Sequence, residues 1–302
     1  MNKTWIAMTA CVCITGCLSV PSTIRGTVVD ATMNTVTLKT NENQTYVFST
    51  VETDKTQLNG LVLGKTVSAA FRGAYHSGQE LLKLSDYPLP ADLFNEAIVF
   101  IPADSSDGLL YLLDEKEKST LQLYDAAGKL HATLTRSSTA EASAFWHAPS
   151  LGLKLQNEKG ILTLRQNGKP VYTESTSFAD SSLGELTEEH FTGVLPAADC
   201  EGIRYDLRIK HRAFSGDGLF LLTLTYLNAL GDRDISYSYL GRRFTLRGSA
   251  DDENDIVWQC QTDDRAFAPA FLYEPEDQTL TLLTKEHRKI QSQLNYTLRK
   301  VR

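Results

Sequence analysis

Residues 191–203 read FTGVLPAADCEGI, a strand that enters a tight loop and leaves as a second strand. Gly193 and Gly202 relax the backbone on either side of the loop, and Pro196 fixes a turn. Asp199 can bond nearby backbone amides. A strand, loop and strand of this composition are typical of a β-barrel rim. The stretch therefore predicts a barrel in the last third of the chain.

The loop resembles a family signature, G-x-L-P-C-A-D-C-x-G-I, found in the NlpE family of outer-membrane lipoproteins. That family is named for copper resistance and envelope stress. A second stretch, residues 291–298 (QSQLNYTL), is similar to the closing strand of the family. The resemblance covers roughly residues 186–302 and implies a lipocalin-like β-barrel of the NlpE N-terminal type. The motif-loop residues are Gly193, Pro196, Asp199, Cys200 and Gly202.

One departure from the family concerns copper. The family loop carries C-x-x-C, and this chain has Ala197 where the first cysteine would stand. Two sulfurs on one tight loop can chelate a soft metal or cycle as a dithiol, whereas Cys200 alone can do neither locally. We therefore expect no resident cofactor. The replacement by Ala197 also weakens the case for the copper binding that the resemblance implies. The metal ligands, if there are any, stay unknown.

Cys200 and Cys260 are the two cysteines of the chain body. Three interpretations stay open. A disulfide between them would suit an oxidising compartment and could contribute roughly 3–4 kcal/mol. Two unpaired thiols, one buried and inert and one exposed and reactive, are the second. The third is that the thiols bind a metal or take part in redox chemistry.

The N-terminus predicts export and lipid attachment. Lys3 precedes a short apolar run that is too brief to span a bilayer, as in a secretory signal at residues 1–16. The tetrad Ile14-Thr15-Gly16-Cys17 resembles the lipobox of bacterial lipoproteins, in which the cysteine receives acyl chains such as palmitate. Residues 17–22 would then be a lipidated tether. Leu18 is not the aspartate that retains lipoproteins at the inner membrane, so we expect an outer-membrane location in the cell envelope.

Two further β modules are predicted before the barrel, so the fold class is all-β. Alternating residues and turn residues over 23–87, with strands that include Gly60–Gly64, predict a small closed OB-like barrel of about five strands. Proline-rich residues 87–90 mark a linker, and 93–175 form a middle β domain. That domain also looks like the β domains of lipoproteins that inhibit lysozyme. A second linker is expected over 175–189.

Composition and motifs narrow the function classes. The net charge of −7 argues against nucleic acid as a partner, because phosphate binding needs a basic face. No catalytic set is found, so we predict a protein that is not an enzyme and name no catalytic residue. The first hypothesis is a lipid-anchored NlpE-like protein that acts through an envelope protein partner in stress sensing or copper homeostasis. The alternatives are a carrier whose barrel cavity is lined from residues 219–227, and an inhibitor of a cell-wall hydrolase.

Overall fold

The computed structural model describes residues 21–301, except residue 41, residues 105–107, 116–118 and 138–144, and residues 230, 232, 264 and 266. Cys17, the predicted signal at residues 1–16 and most of the predicted tether lie outside the described residues. The described chain is all-β, as predicted. It consists of one curled sheet followed by two closed eight-stranded barrels. None of its described helices has the length and apolar character needed to cross a membrane.

The first unit is a six-stranded sheet with the strand order β5-β3-β2-β1-β4-β6. Its strands are β1 (Ser22–Ala31), β2 (Thr35–Lys39), β3 (Thr45–Ser49), β4 (Thr66–Phe71), β5 (Gln79–Glu80) and β6 (Lys83–Asp86). All pairs are antiparallel except that of β3 with the short β5. One face curls around a core in which Val36, Leu38, Phe48, Val67 and Leu84 are fully buried.

Two expectations for this unit are wrong. The sheet does not close into a barrel, because β5 has only two residues and pairs with β3 rather than completing a ladder to β6. The predicted strand at Gly60–Gly64 is a turn. Gly60 and Gly64 both have positive φ, so the backbone reverses there and leaves Val62 and Leu63 exposed.

The second unit is a closed up-and-down barrel of eight antiparallel strands. They are β7 (Ile98–Pro102), β8 (Leu110–Glu115), β9 (Thr120–Tyr124), β10 (Leu130–Arg136), β11 (Trp146–Ala148), β12 (Leu153–Glu158), β13 (Ile161–Gln166) and β14 (Lys169–Glu174). The barrel closes where β14 pairs with β7. Phe100, Leu112, Leu134, Leu155 and Leu164 form the centre of its interior.

The third unit, which we call the C-terminal barrel, is a second closed meander of eight strands. They are β15 (Leu186–Leu195), β16 (Ile203–Arg212), β17 (Asp217–Tyr226), β18 (Ile235–Arg247), β19 (Ile256–Gln261), β20 (Ala270–Glu274), β21 (Thr279–Leu282) and β22 (Thr297–Lys300). The barrel closes where β22 pairs with β15. The predicted linker over 175–189 is too long, since β15 already begins at Leu186.

A short helix, α1 (Pro90–Glu96), lies between the two barrels, where the sequence predicted the end of a linker and the start of a β domain. Pro90 occupies the first helical turn, where a missing N–H costs nothing. Leu93 and Phe94 of α1 are buried against Leu219 and Leu221 on the outer face of the C-terminal barrel. A second helix, α2 (Thr176–Ala179), precedes that barrel and accepts a hydrogen bond at the Phe178 carbonyl from Arg212. The barrels therefore share one buried apolar interface.

Candidate functional site

The motif loop, residues 196–202, joins β15 to β16 at one end of the C-terminal barrel. Glycine is favoured at Gly193, just before the loop, and at Gly202, its last residue. A Cβ at Gly193 would lie 2.9 Å from the Thr297 carbonyl oxygen, because β15 passes very close to the start of β22. Gly202 has a φ of +149° and sits against Val194, so a side chain there would be strained. Both glycines therefore meet a local steric requirement.

Within the motif loop, the side chain of Cys200 is partly exposed and its Sγ donates to the Gly202 carbonyl oxygen at 3.3 Å. Asp199 is exposed and Pro196 is half-buried. The loop also bonds to the next hairpin, since the Glu201 N–H donates to the Leu227 carbonyl at 3.3 Å. The rim around it presents apolar side chains, because Val194 is 46% exposed and Leu294 is 61% exposed.

The cysteines do not form the disulfide that was one of the predicted alternatives; both are free thiols. Cys260 is fully buried on β19 inside the barrel. Cys200 is partly exposed in the loop beyond the end of β15. The two thiols therefore lie in different environments of the same barrel.

The two thiols should react very differently. Burial raises the pKa of the Cys260 thiol, and the nearby Arg243 guanidinium offsets this only in part. Cys260 is also fully buried in the barrel core. We expect a maleimide to label Cys200 of the native protein within minutes and to label Cys260 only after unfolding. Intact-mass spectrometry with and without denaturant would count the adducts. Two adducts on the native protein, or none before reduction, would contradict this assignment.

The interior of the C-terminal barrel is packed with its own side chains. Phe220, Leu222 and Leu224 of β17, which the carrier hypothesis assigned to a cavity wall, are buried in one continuous cluster around Trp258 and Phe271. Leu219 and Leu221 of β17 point outward and pack against α1. Packing on both faces of β17 therefore accounts for its apolar run.

A polar cluster lies at the barrel end that contains His211. The Glu189 carboxylate contacts His211 Nε2 at 3.1 Å and Lys300 Nζ at 2.7 Å. Nearby, the buried Arg243 guanidinium lies 5.0 Å from the centre of the Trp258 ring. Burial alone would raise the pKa of Glu189, but the hydrogen bonds and charges of His211 and Lys300 lower it overall.

The lowered pKa of Glu189 predicts acid sensitivity of the barrel. Because the folded-state pKa is below the ordinary value of 4.5, Glu189 stabilises the native protein above that pH. This contribution is lost as the pH falls through the folded-state pKa. We expect Glu189→Gln to lower the unfolding free energy at neutral pH and to flatten its decline in acid. Denaturant unfolding of both proteins across that range would test this, and parallel pH profiles would contradict it.

In the described part of the chain, no three histidine, cysteine, aspartate or glutamate side chains are grouped so as to hold a metal ion. The predicted lipidation residue, Cys17, lies outside the described residues, so its modification stays a prediction.

A cleft of about 1010 Å³ lies where the three units meet, and the sequence did not predict it. Its first side comes from the curled sheet and includes Asn59, Lys65 and Asp86. Its other sides come from the two barrels, and they include Leu109, Asp125, His131, Tyr172, Ser238, Tyr239, Leu240, Asp263 and Phe267. No local sequence pattern marks the cleft, because it joins residues that are remote in sequence.

The comparisons with known proteins agree with the motif. No curated protein and no solved structure gives a significant match to the chain. One family model does match, over residues 191–293, and its description is NlpE N-terminal domain. This range begins within β15, includes the motif loop and β16 to β21, and ends just before β22. The C-terminal third of this chain is therefore similar to the NlpE N-terminal domain, a domain of envelope-associated proteins.

Proposed function

We propose that this chain is a lipid-anchored protein of the bacterial cell envelope that reports the state of the envelope through contacts with another protein. The match of residues 191–293 to the NlpE N-terminal domain carries the proposal. The lipobox-like tetrad that ends at Cys17 supports a lipid anchor, with the outer membrane as its location. The role is non-catalytic, and stress sensing fits it better than copper binding because Ala197 replaces a cysteine of the family loop.

The rim of the motif loop is the proposed contact surface. Val194 and Leu294 expose apolar side chains there, and Asn295 Nδ2 donates to the Val194 carbonyl at 3.2 Å, so the two segments are held together. Exposed apolar side chains on an ordered rim are suited to a protein partner. Cys200 lies in the same loop and can carry a reporter group.

Lipid attachment is tested with Cys17→Ser. The wild-type protein should lack residues 1–16 and show the added mass of acyl chains, whereas Cys17→Ser should keep its signal peptide and show no acyl mass. A wild-type protein without added mass would remove the anchor from the proposal.

The contact surface is tested by crosslinking in intact cells through a photoreactive maleimide on Cys200. We expect a discrete adduct that Val194→Asp and Leu294→Asp abolish. Leu151→Asp is the matched control, because Leu151 is similarly exposed, at 44%, but lies on the second barrel. An adduct that is insensitive to Val194→Asp, or equally sensitive to Leu151→Asp, would contradict this surface. Added copper(I) should leave both the adduct and the Tm unchanged.

A further inference from the structure

The N-terminal half of β18 has an edge without a neighbouring strand in the described part of the chain. On one side, β17 pairs with β18 from Ile235 to Phe244. On the other side, β19 pairs only from Arg242 to Arg247. Residues 235–241 therefore extend past β19, and we call their outer side the β18 edge. An open strand edge can pair with another extended chain.

Asn59 of the curled sheet already occupies one position on the β18 edge. The Ser238 N–H donates to Asn59 Oδ1 at 2.9 Å, and Asn59 Nδ2 donates to the Ser238 carbonyl at 3.3 Å. A side-chain amide thus makes the two hydrogen bonds that a residue of an added strand would make. Because backbone groups alternate along a strand, those of Ser236 and Leu240 face the same side as those of Ser238.

The β18 edge forms part of the cleft between the three units, since Ser238, Tyr239 and Leu240 line it. The cleft volume of about 1010 Å³ is at the upper end of what ligand sites offer. The Tyr239 and Phe267 rings stack with centroids 4.2 Å apart. A cleft that combines apolar walls with a strand edge suits an extended peptide, whose main chain pairs while alternate side chains enter pockets.

Charges in the cleft favour a neutral or basic peptide over an acidic one. Asp86 pairs with Lys65 at 2.7 Å, and Asp125 contacts His131 at 3.2 Å. Asp263 adds a third carboxylate to this lining. Carboxylates therefore outnumber lysines, and an acidic side chain would be repelled.

We propose that the β18 edge binds an extended, neutral or basic polypeptide segment by strand addition, and that Asn59 occupies the edge until the segment displaces it. The inference rests on the proposed function and names the chemistry of its partner. It differs from the motif-loop contact in position, because the cleft joins all three units. Strand addition makes the interaction depend on the peptide main chain.

The test measures fluorescence anisotropy of a labelled heptapeptide of alternating valine and lysine with the full mature chain. We expect saturable binding, at least fivefold weaker binding of the glutamate counterpart, and no binding of the lysine peptide N-methylated at every residue. Asn59→Ala should bind about tenfold more tightly, because two competing hydrogen bonds are removed. Asn34→Ala, an exposed asparagine on the same unit, should bind like wild type.

Several results would overturn the inference. Absence of binding by both wild type and Asn59→Ala would do so, as would equal binding of the N-methylated peptide. Self-association that Asn59→Ala strengthens, without peptide binding, would assign the edge to a second copy of the chain. If the Cys200 crosslink persists in these cases, the proposed function stands and only the inference fails. If lipid attachment and the Cys200 crosslink are both absent while the peptide binds, the proposed function fails and peptide binding at the β18 edge stands.

Discussion

Replacing Trp258 with alanine is expected to lower the unfolding free energy by about 3–5 kcal/mol, since a large buried aromatic side chain is removed from a closed interior. Trp258 is 4% exposed on β19. Its ring stacks on Tyr273 with centroids 4.2 Å apart and meets the edge of Phe191 at 5.8 Å. The buried Arg243 guanidinium lies over the same ring. The substitution therefore leaves a cavity and takes away the partner of a buried cation.

Urea unfolding followed by circular dichroism would measure this loss. Phe214→Ala is the matched control, because Phe214 is 79% exposed and should change stability by no more than about 0.5 kcal/mol. Equal midpoints for Trp258→Ala and wild type would show that the barrel interior is not packed as described. Cys200 labelling of the same variant should report whether damage to the barrel interior reaches the motif loop.

Replacing Phe94 with alanine is expected to separate the unfolding of the two barrels. Phe94 is 1% exposed on α1, which lies between them. The Arg208 guanidinium and the Lys210 ammonium of β16 lie 4.9 Å and 4.7 Å from the centre of its ring. Lys210 Nζ also donates to the Phe94 carbonyl oxygen. Burial lowers the pKa of the Lys210 ammonium group. We expect Phe94→Ala to lower the free energy of unfolding by about 3–5 kcal/mol, because packing at the interface and coupling between the barrels are both lost.

Differential scanning calorimetry would detect the separation. A large apolar interface makes wild-type barrels unfold together, so one transition should become two in Phe94→Ala. Phe214→Ala again serves as the control and should keep one transition. A single, unshifted transition in Phe94→Ala would mean that α1 does not couple the barrels. The same variant should weaken peptide binding in the cleft, because the cleft needs all three units in place.

Much of the candidate site was visible as local sequence pattern, but its chemistry was not. Gly193 and Gly202 stand at two positions where a side chain would clash or be strained, which is a local requirement that a motif can show. Whether Cys200 and Cys260 can pair depends on how the whole barrel closes around them, so their spacing in sequence left the alternatives open. The cleft depends on Asn59 meeting Ser238, two residues from different units. No local pattern reports such a meeting.

The run Leu219-Phe220-Leu221-Leu222 shows what a sequence pattern leaves undecided. Four consecutive apolar residues indicate a strand that is buried on both faces. The carrier hypothesis placed the inward-facing residues of this strand on the wall of a cavity. In the structure, Phe220 and Leu222 fill the barrel, while Leu219 and Leu221 pack against α1. Periodicity shows that a face is covered, but it does not show what covers it.

The sequence by itself determined the all-β class, many of the strands, and turns such as Asn167-Gly168, where both residues take positive φ between β13 and β14. It also determined the motif loop and its likeness to the NlpE N-terminal domain. These features follow from short-range sterics and from the two-residue period of a strand. Only the tertiary structure decided that the first sheet stays open, that the thiols stay apart, and that α1 joins two barrels beside a cleft. Each of these depends on contacts between segments far apart in the chain, which no local preference specifies.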